Sequence, residues 1–231
     1  MPSSLVSTLC LILISGFLSL LTFNLQTAFN MNHGSYPEVN VHEVVHFGAV
    51  ITLQHVSTTG GYLSSLNASY PKRPASSEQQ LVAVAAARSD DTSWRIYNAS
   101  MRSELVDQDD VQGMHHVSRD ATVILRHVAT HKFLHSHQEF AAPVTSGEGH
   151  WEVTAYGMRG FEGDANDDWV VEPLRGAVLT TATPFRLRHR LTGCYLASRE
   201  GAQLPEWGFG LQEVTCTRDE AGGDLWIIDA I

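Results

Sequence analysis

Charged side chains are scarce in this sequence, and basic ones scarcer. Only 17% of the 231 residues are Asp, Glu, Lys or Arg, and 15 Lys and Arg stand against 25 Asp and Glu, a formal charge of −10. Duplex nucleic acid is bound by basic groups concentrated on one face, so nucleic acid drops out as the default partner. From His46 onward a helical period is also missing. Short β-branched and aromatic runs are broken by Gly, Pro, Asn and Asp, which predicts many short strands. No Gly-x-Ser-x-Gly elbow presents a nucleophile. Asp164, Asn166, Asp167 and Asp168 lack the alternating ligands and distal Glu of a calcium loop, and read as a surface turn capped by its own side chains. What is plentiful is apolar: 43% hydrophobic residues, with five Trp and 18 Gly spread along the chain, enough for one large packed domain or two small ones.

The N-terminus is a separate object, because the first charged residue is Glu38 and the first Lys is Lys72. Residues Leu5 to Phe23 are apolar or small throughout, and as a helix they would match the ~30 Å of a bilayer core. Residues 1–30 therefore read as a signal peptide or a membrane anchor, with 31–45 as a linker, and either reading sends the remainder into the secretory pathway. Asn67-Ala68-Ser69 and Asn98-Ala99-Ser100 are N-glycosylation sequons. Of three cysteines, Cys10 lies in the apolar run, which leaves Cys194 and Cys216 either as one disulfide or as two separate buried thiols.

The rest of the chain repeats itself. Ile51 to Leu63 (ITLQHVSTTGGYL) matches Val123 to Leu134 (VILRHVATHKFL) and Phe185 to Leu196 (FRLRHRLTGCYL). Each copy alternates apolar and polar residues up to a His, turns, and resumes with an aromatic residue before Leu, which predicts a hairpin. A third element follows at Gln80-Leu81-Val82-Ala83, Trp151-Glu152-Val153-Thr154 and Gln212-Glu213-Val214-Thr215, and a fourth at Trp94, Trp169 and Trp226. Four-stranded units of this size cannot each bury an apolar face alone. Three of them closing about a pseudo-threefold axis give an all-β chain, a β-trefoil over 46–231 with repeats at about 46–100, 115–173 and 178–231, preceded by one N-terminal apolar helix. The three Trp are assigned to the core and His55, His127 and His189 to structural hydrogen bonds at the strand turns.

Repeat two carries Leu134-His135-Ser136-His137, Ala142-Pro143, Glu152-Val153-Thr154, Tyr156-Gly157 and Gly163-Asp164-Ala165-Asn166-Asp167-Asp168-Trp169. This string resembles the second repeat of the MIR domain, a trefoil found in protein O-mannosyltransferases, stromal-derived-factor-type endoplasmic reticulum proteins, and inositol trisphosphate and ryanodine receptors. In repeat three, Leu204-Pro205-Glu206-Trp207-Gly208-Phe209 and Gln212-Glu213-Val214-Thr215-Cys216 resemble the O-mannosyltransferase version specifically. Repeat one departs from the pattern, with Leu63-Ser64-Ser65-Leu66 where the family has Leu-His-Ser-His. The resemblance implies an endoplasmic reticulum location with a lumenal, membrane-attached domain. It also implies no cofactor and no catalyst in this chain, since the family transfers mannose with an acidic pair in a loop among membrane helices.

Two side-chain chemistries remain to be weighed. His135 and His137 lie two apart on one strand face and, with His131 or His150, resemble part of a zinc site, but no third ligand stands at a fixed spacing and no metal is assigned. Sugars are held by a few directed hydrogen bonds and an aromatic face, and His135, His137, Trp151 and Tyr156 are close in sequence. Trp207 and Phe209 lie on a Pro-Gly loop suited to a partner contact. The expectation is a non-catalytic module binding glycan or Ser/Thr-rich acceptor polypeptide, with a membrane mannosyltransferase or chaperone complex as partner. The alternatives are a stromal-derived-factor-type quality-control protein and a fragment of an active mannosyltransferase.

Overall fold

Alternation sets the architecture. Ile51 and Leu53, Val123 and Leu125, and Phe185 and Leu187 project to one side of their strands and are all at most 1% exposed. The computed structural model describes residues 43–230 except 58–59, 75, 107–114, 146–148, 182 and 220–221. The N-terminal apolar segment and Cys10 lie outside the described residues. Among the described residues no helix is long and apolar enough to cross a membrane.

Twelve strands are described: β1 (Val50–His55), β2 (Tyr62–Ser69), β3 (Gln80–Ala85), β4 (Trp94–Asn98), β5 (Thr122–His127), β6 (Phe133–Ala141), β7 (His150–Tyr156), β8 (Trp169–Pro173), β9 (Phe185–His189), β10 (Tyr195–Gln203), β11 (Gln212–Thr217) and β12 (Trp226–Ala230). The only helical pieces among these residues are short 3₁₀ segments. Antiparallel pairing runs β1–β4–β5–β8–β9–β12 and back to β1, a closed ring. The long ladders β2–β3, β6–β7 and β10–β11 form three hairpins, and their second strands β3, β7 and β11 pair with one another. Closing the ring leaves its strands no free edge.

The hairpin expected at the first turn of each repeat is present but short. β1–β2, β5–β6 and β9–β10 share a single residue pair each, Gln54 with Tyr62, Arg126 with Phe133 and Arg188 with Tyr195. The reason is competition for edges, since β1, β5 and β9 pair on both sides with ring neighbours. The chain therefore leaves the ring at the turn and makes its ladder with the following strand.

Each turn is locked by the shared histidine. His127 Nδ1 accepts from Thr130 Oγ1 at 2.9 Å and its Nε2–H donates to the Asp91 carbonyl at 3.0 Å. His189 repeats this with Thr192 at 2.7 Å and the Asn166 carbonyl at 3.0 Å, and His55 Nε2–H reaches the Gly223 carbonyl at 2.7 Å. Every Nε2 bond crosses to the preceding repeat in cyclic order. Each ring also stands against a tryptophan, His55 on Trp226, His127 on Trp94 and His189 on Trp169, at centroid distances of 4.7–5.0 Å. The indole N–H groups donate to the Leu63, Leu134 and Leu196 carbonyls at 2.9–3.0 Å, so the three fully buried Trp carry no unpaired polar atom. Because a carbonyl needs a donor and Thr can supply one, the neutral Nε2–H tautomer fits.

A second cyclic device ties the hairpins to the loops beside them. Buried Glu152 of repeat two receives Ser77 N–H at 3.1 Å, Ser77 Oγ–H at 2.7 Å and Arg73 at 2.5 Å from repeat one. Buried Glu213 of repeat three receives Val144 N–H, Thr145 N–H and Thr145 Oγ–H of repeat two at 2.6–2.8 Å. The equivalent residue of repeat one is Leu81, which packs in an apolar cluster with Tyr70, Ala83, Leu204 and Trp207. The Leu-Pro-x-Trp-Gly-Phe loop thus serves Leu81 as backbone amides serve the glutamates.

Candidate functional site

Strand period two puts His135 and His137 of β6 on one side, and their rings meet edge to face at 4.5 Å. Tyr156 lies across the ladder, at the end of β7, with its ring 5.0 Å from His135. Phe140 flanks His137 at 5.6 Å and Phe161 flanks Tyr156 at 5.7 Å, completing an aromatic wall around the two imidazoles. Tyr156 is 41% exposed, so the wall opens to solvent.

Beneath it lies the Asp164–Asp168 turn, and here the surface reading is corrected. Asp167 is fully buried and Asp168 only 6% exposed. Asp164 caps the 3₁₀ segment Ala165–Asp167, accepting from Asn166 N–H at 2.7 Å, while Asp167 Oδ2 accepts from Asp164 N–H at 2.6 Å. This reciprocal cap turns the other oxygen of Asp167 inward, where His135 Nδ1–H donates to it at 2.6 Å. Arg102 stands 3.6 Å from Asp167 and bonds Asp168, which also faces Arg190 at 3.3 Å. Burial raises the Asp167 carboxyl above its ordinary pKa, opposed by the His135 bond. Burial, then the neighbouring His135, lowers the His137 imidazole. His137 is therefore a neutral donor–acceptor at pH 7. His135 Nε2 is buried with no hydrogen-bond partner among the described residues and sits beneath the His137 and Tyr156 rings.

Metal binding fits these groups poorly. His135, Asp164 and Asp167 are close enough to share an ion. Their oxygens are committed to the cap and to His135, and the Arg102 guanidinium beside Asp167 opposes a cation. The extra ligands considered from sequence lie elsewhere: His131 lines a cavity with Arg95 and Arg126, and His150 faces Asp219 at 3.9 Å. Among the described residues no hydroxyl or thiol bonds Nε2 of His135, the position a nucleophile activated by the His135–Asp167 dyad would take.

The remaining sequence candidates fall apart from this cluster. Trp151 sits at the start of β7, packed against the main core with the Arg218 guanidinium 5.4 Å from its ring centre. Trp207 packs on Tyr70 at 5.7 Å, and its neighbour Phe209 is 63% exposed. Asn67 is exposed on β2, while Asn98, half-buried at the end of β4, accepts from Ser100 N–H at 3.0 Å and Ser100 Oγ–H at 2.9 Å. Cys194 and Cys216 are bonded as a disulfide inside the core, their Cα atoms 5.3 Å apart. Sequence reasoning missed Phe140, Phe161, Arg102 and the inward role of Asp167. The cap spacing Asp164-x-x-Asp167 ahead of Trp169 is the one signal that pointed to the last of these.

Comparison with known proteins places this geometry. Residues 75–225 match the family model of the MIR domain. The chain is 41% identical over 188 residues to dolichyl-phosphate-mannose–protein mannosyltransferase 1 of Saccharomyces cerevisiae, a match covering 77% of this chain and 22% of the relative. It superposes on the structure of the S. cerevisiae protein O-mannosyltransferase Pmt1-Pmt2 complex bound to the sugar donor with a TM-score of 0.70 and 35% identity, covering 86% of this chain and 27% of that one. The SDF2-like protein from Arabidopsis thaliana matches with a TM-score of 0.67 and 26% identity, covering 80% of this chain and 94% of the other. The chain thus spans only about a fifth of the mannosyltransferases it matches, and their activity belongs to the whole proteins. On the match across residues 75–225, the chain belongs to the MIR domain family.

Proposed function

We propose that this chain is a non-catalytic MIR β-trefoil of the endoplasmic reticulum lumen, attached to the membrane by its N-terminal apolar segment. In this reading it presents glycan or Ser/Thr-rich acceptor polypeptide to a protein O-mannosyltransferase. The closed ring with three hairpins supports the trefoil, and identity to mannosyltransferases supports the pathway. The observation that carries ligand binding is the buried, unpaired His135 Nε2 under the rings of His137 and Tyr156. An unsatisfied buried polar atom is costly, and a ligand hydroxyl reaching it would remove that cost. The aromatic wall supplies the apolar face on which a sugar ring stacks, and neutral His137 can donate to or accept from a second hydroxyl.

The long match to the SDF2-like protein favours a second reading, a quality-control protein built of one such domain. Titration calorimetry of the full chain with mannosides and Ser/Thr-rich peptides separates the two. Binding is expected, weakened about tenfold in His137→Ala and in Tyr156→Ala, the loss of one directed bond or one stacking face. Absent binding, or affinity unchanged in both variants, sinks the reading.

A further inference from the structure

Outside the twelve strands, three short extended segments join in a cycle. Val45 N–H donates to the Leu179 carbonyl at 3.0 Å, Leu179 N–H to the Val117 carbonyl at 2.8 Å, and Val117 N–H to the Val45 carbonyl at 2.8 Å. All three side chains are fully buried in the main core, so the residue on either side of each turns outward. These outward residues meet in antiparallel pairs at three equivalent junctions, His46 with His116, Ser118 with Val178, and Thr180 with Val44. At each, the residue after one buried position faces the residue before the next. Two junctions pair a hydroxyl with a valine, and the third pairs two imidazoles.

The backbone brings these two histidines close. Phe47 N–H donates to the His115 carbonyl at 3.0 Å and Val117 N–H to the Val45 carbonyl at 2.8 Å, so the bonds flank His46 and His116 and skip the pair itself. In a pair of this kind the Cα atoms stand about 4.5 Å apart and the side chains leave on the same face. Imidazole nitrogens so placed can reach one ion at about 2.0–2.1 Å. Both histidines are exposed, and neither ring has a hydrogen bond or ion pair among the described residues, so a ligated ion displaces no partner. Arg119, the nearest cation along the chain, is turned to the Gly176 carbonyl at 2.9 Å, and the net charge of −10 favours a positive ligand. Imidazole selects zinc, copper or nickel over calcium and magnesium, which take oxygen ligands.

We propose that His46 and His116 chelate a divalent transition-metal ion, with water completing its coordination. The site is separate from the His135–Tyr156 cluster and does not depend on the glycan reading. An ion held there ties the first of the three segments to the second. The test is calorimetric titration of the full chain, in detergent micelles, with Zn²⁺. A single tight equivalent is expected, bound about a hundredfold more weakly in His46→Ala and in His116→Ala, because each variant keeps one imidazole and loses the chelate. His115→Ala, which removes the adjacent imidazole outside the pair, should bind as the wild type does. Zn²⁺ should also raise the urea midpoint of the wild type and of His115→Ala, and leave that of the two pair variants where it was. Both side chains are exposed, so the variants should keep the fold, and His→Gln at the same position replaces any that circular dichroism shows unfolded. Absent tight binding, affinity unchanged in either pair variant, or a loss in His115→Ala as large as in His116→Ala overturns the site.

Discussion

Lowering the pH from 7 to 5 is expected to remove about 2 kcal/mol from the free energy of unfolding through His189 alone. Burial lowers its pKa from 6.5 to about 4, against the opposing bond to the Asn166 carbonyl. The unfolded chain therefore takes up a proton through pH 6.5 while the folded chain does not until about pH 4, so this stability is complete above pH 6.5 and is lost on the way down. Burial lowers His55 and His127 in the same direction, and each adds to the loss. The buried carboxyls Glu152 and Asp167 oppose it further down, because burial raises them and the folded chain protonates them earlier than the unfolded one. Protonating Nδ1 of His189 also breaks its acceptor role toward Thr192. Urea unfolding at pH 7 and pH 5 measures the effect. His189→Gln should be less stable at pH 7 and lose less on acidification, and a wild-type midpoint that stays flat across this range defeats the account.

These histidines show what was legible in the sequence. Three His-to-Trp strings at matched spacing could only be three copies of one unit, and residues shared by every copy are those the unit needs to close on its neighbours. The partners were less visible. Turn signals mark where a chain reverses, not how far the two arms then pair, so β1, β5 and β9 read as full hairpin arms although ring neighbours take most of their edges. Glu152 and Glu213 gave no sign of their role, because the amides they hold belong to the preceding repeat and lie about 70 residues away.

The candidate site divides along the same line. His135 and His137 are neighbours by strand period, and Tyr156 joins them because β6 and β7 form a ladder. Nearness in sequence misled at Trp151, which begins the same strand as Tyr156 but packs on the main core, and at Trp207, whose indole completes a loop anchor. Asp167, 32 residues from His135, is brought to it by the cap of a short turn. Phe161 follows no period, so nothing but the folded loop could reveal that it walls the site.

Reduction of Cys194–Cys216 is expected to cost about 3 kcal/mol, which for a domain of this size lowers Tm by about 10 °C. The bond closes a loop of 22 residues in sequence, and constraining that loop in the unfolded chain is the source of the effect. Both sulfurs are fully buried, so the folded protein should resist alkylation with or without mild reductant. The unfolded protein should gain two labels only after reduction, read by intact mass, and labelling of both thiols in an unreduced, unfolded sample refutes the bond.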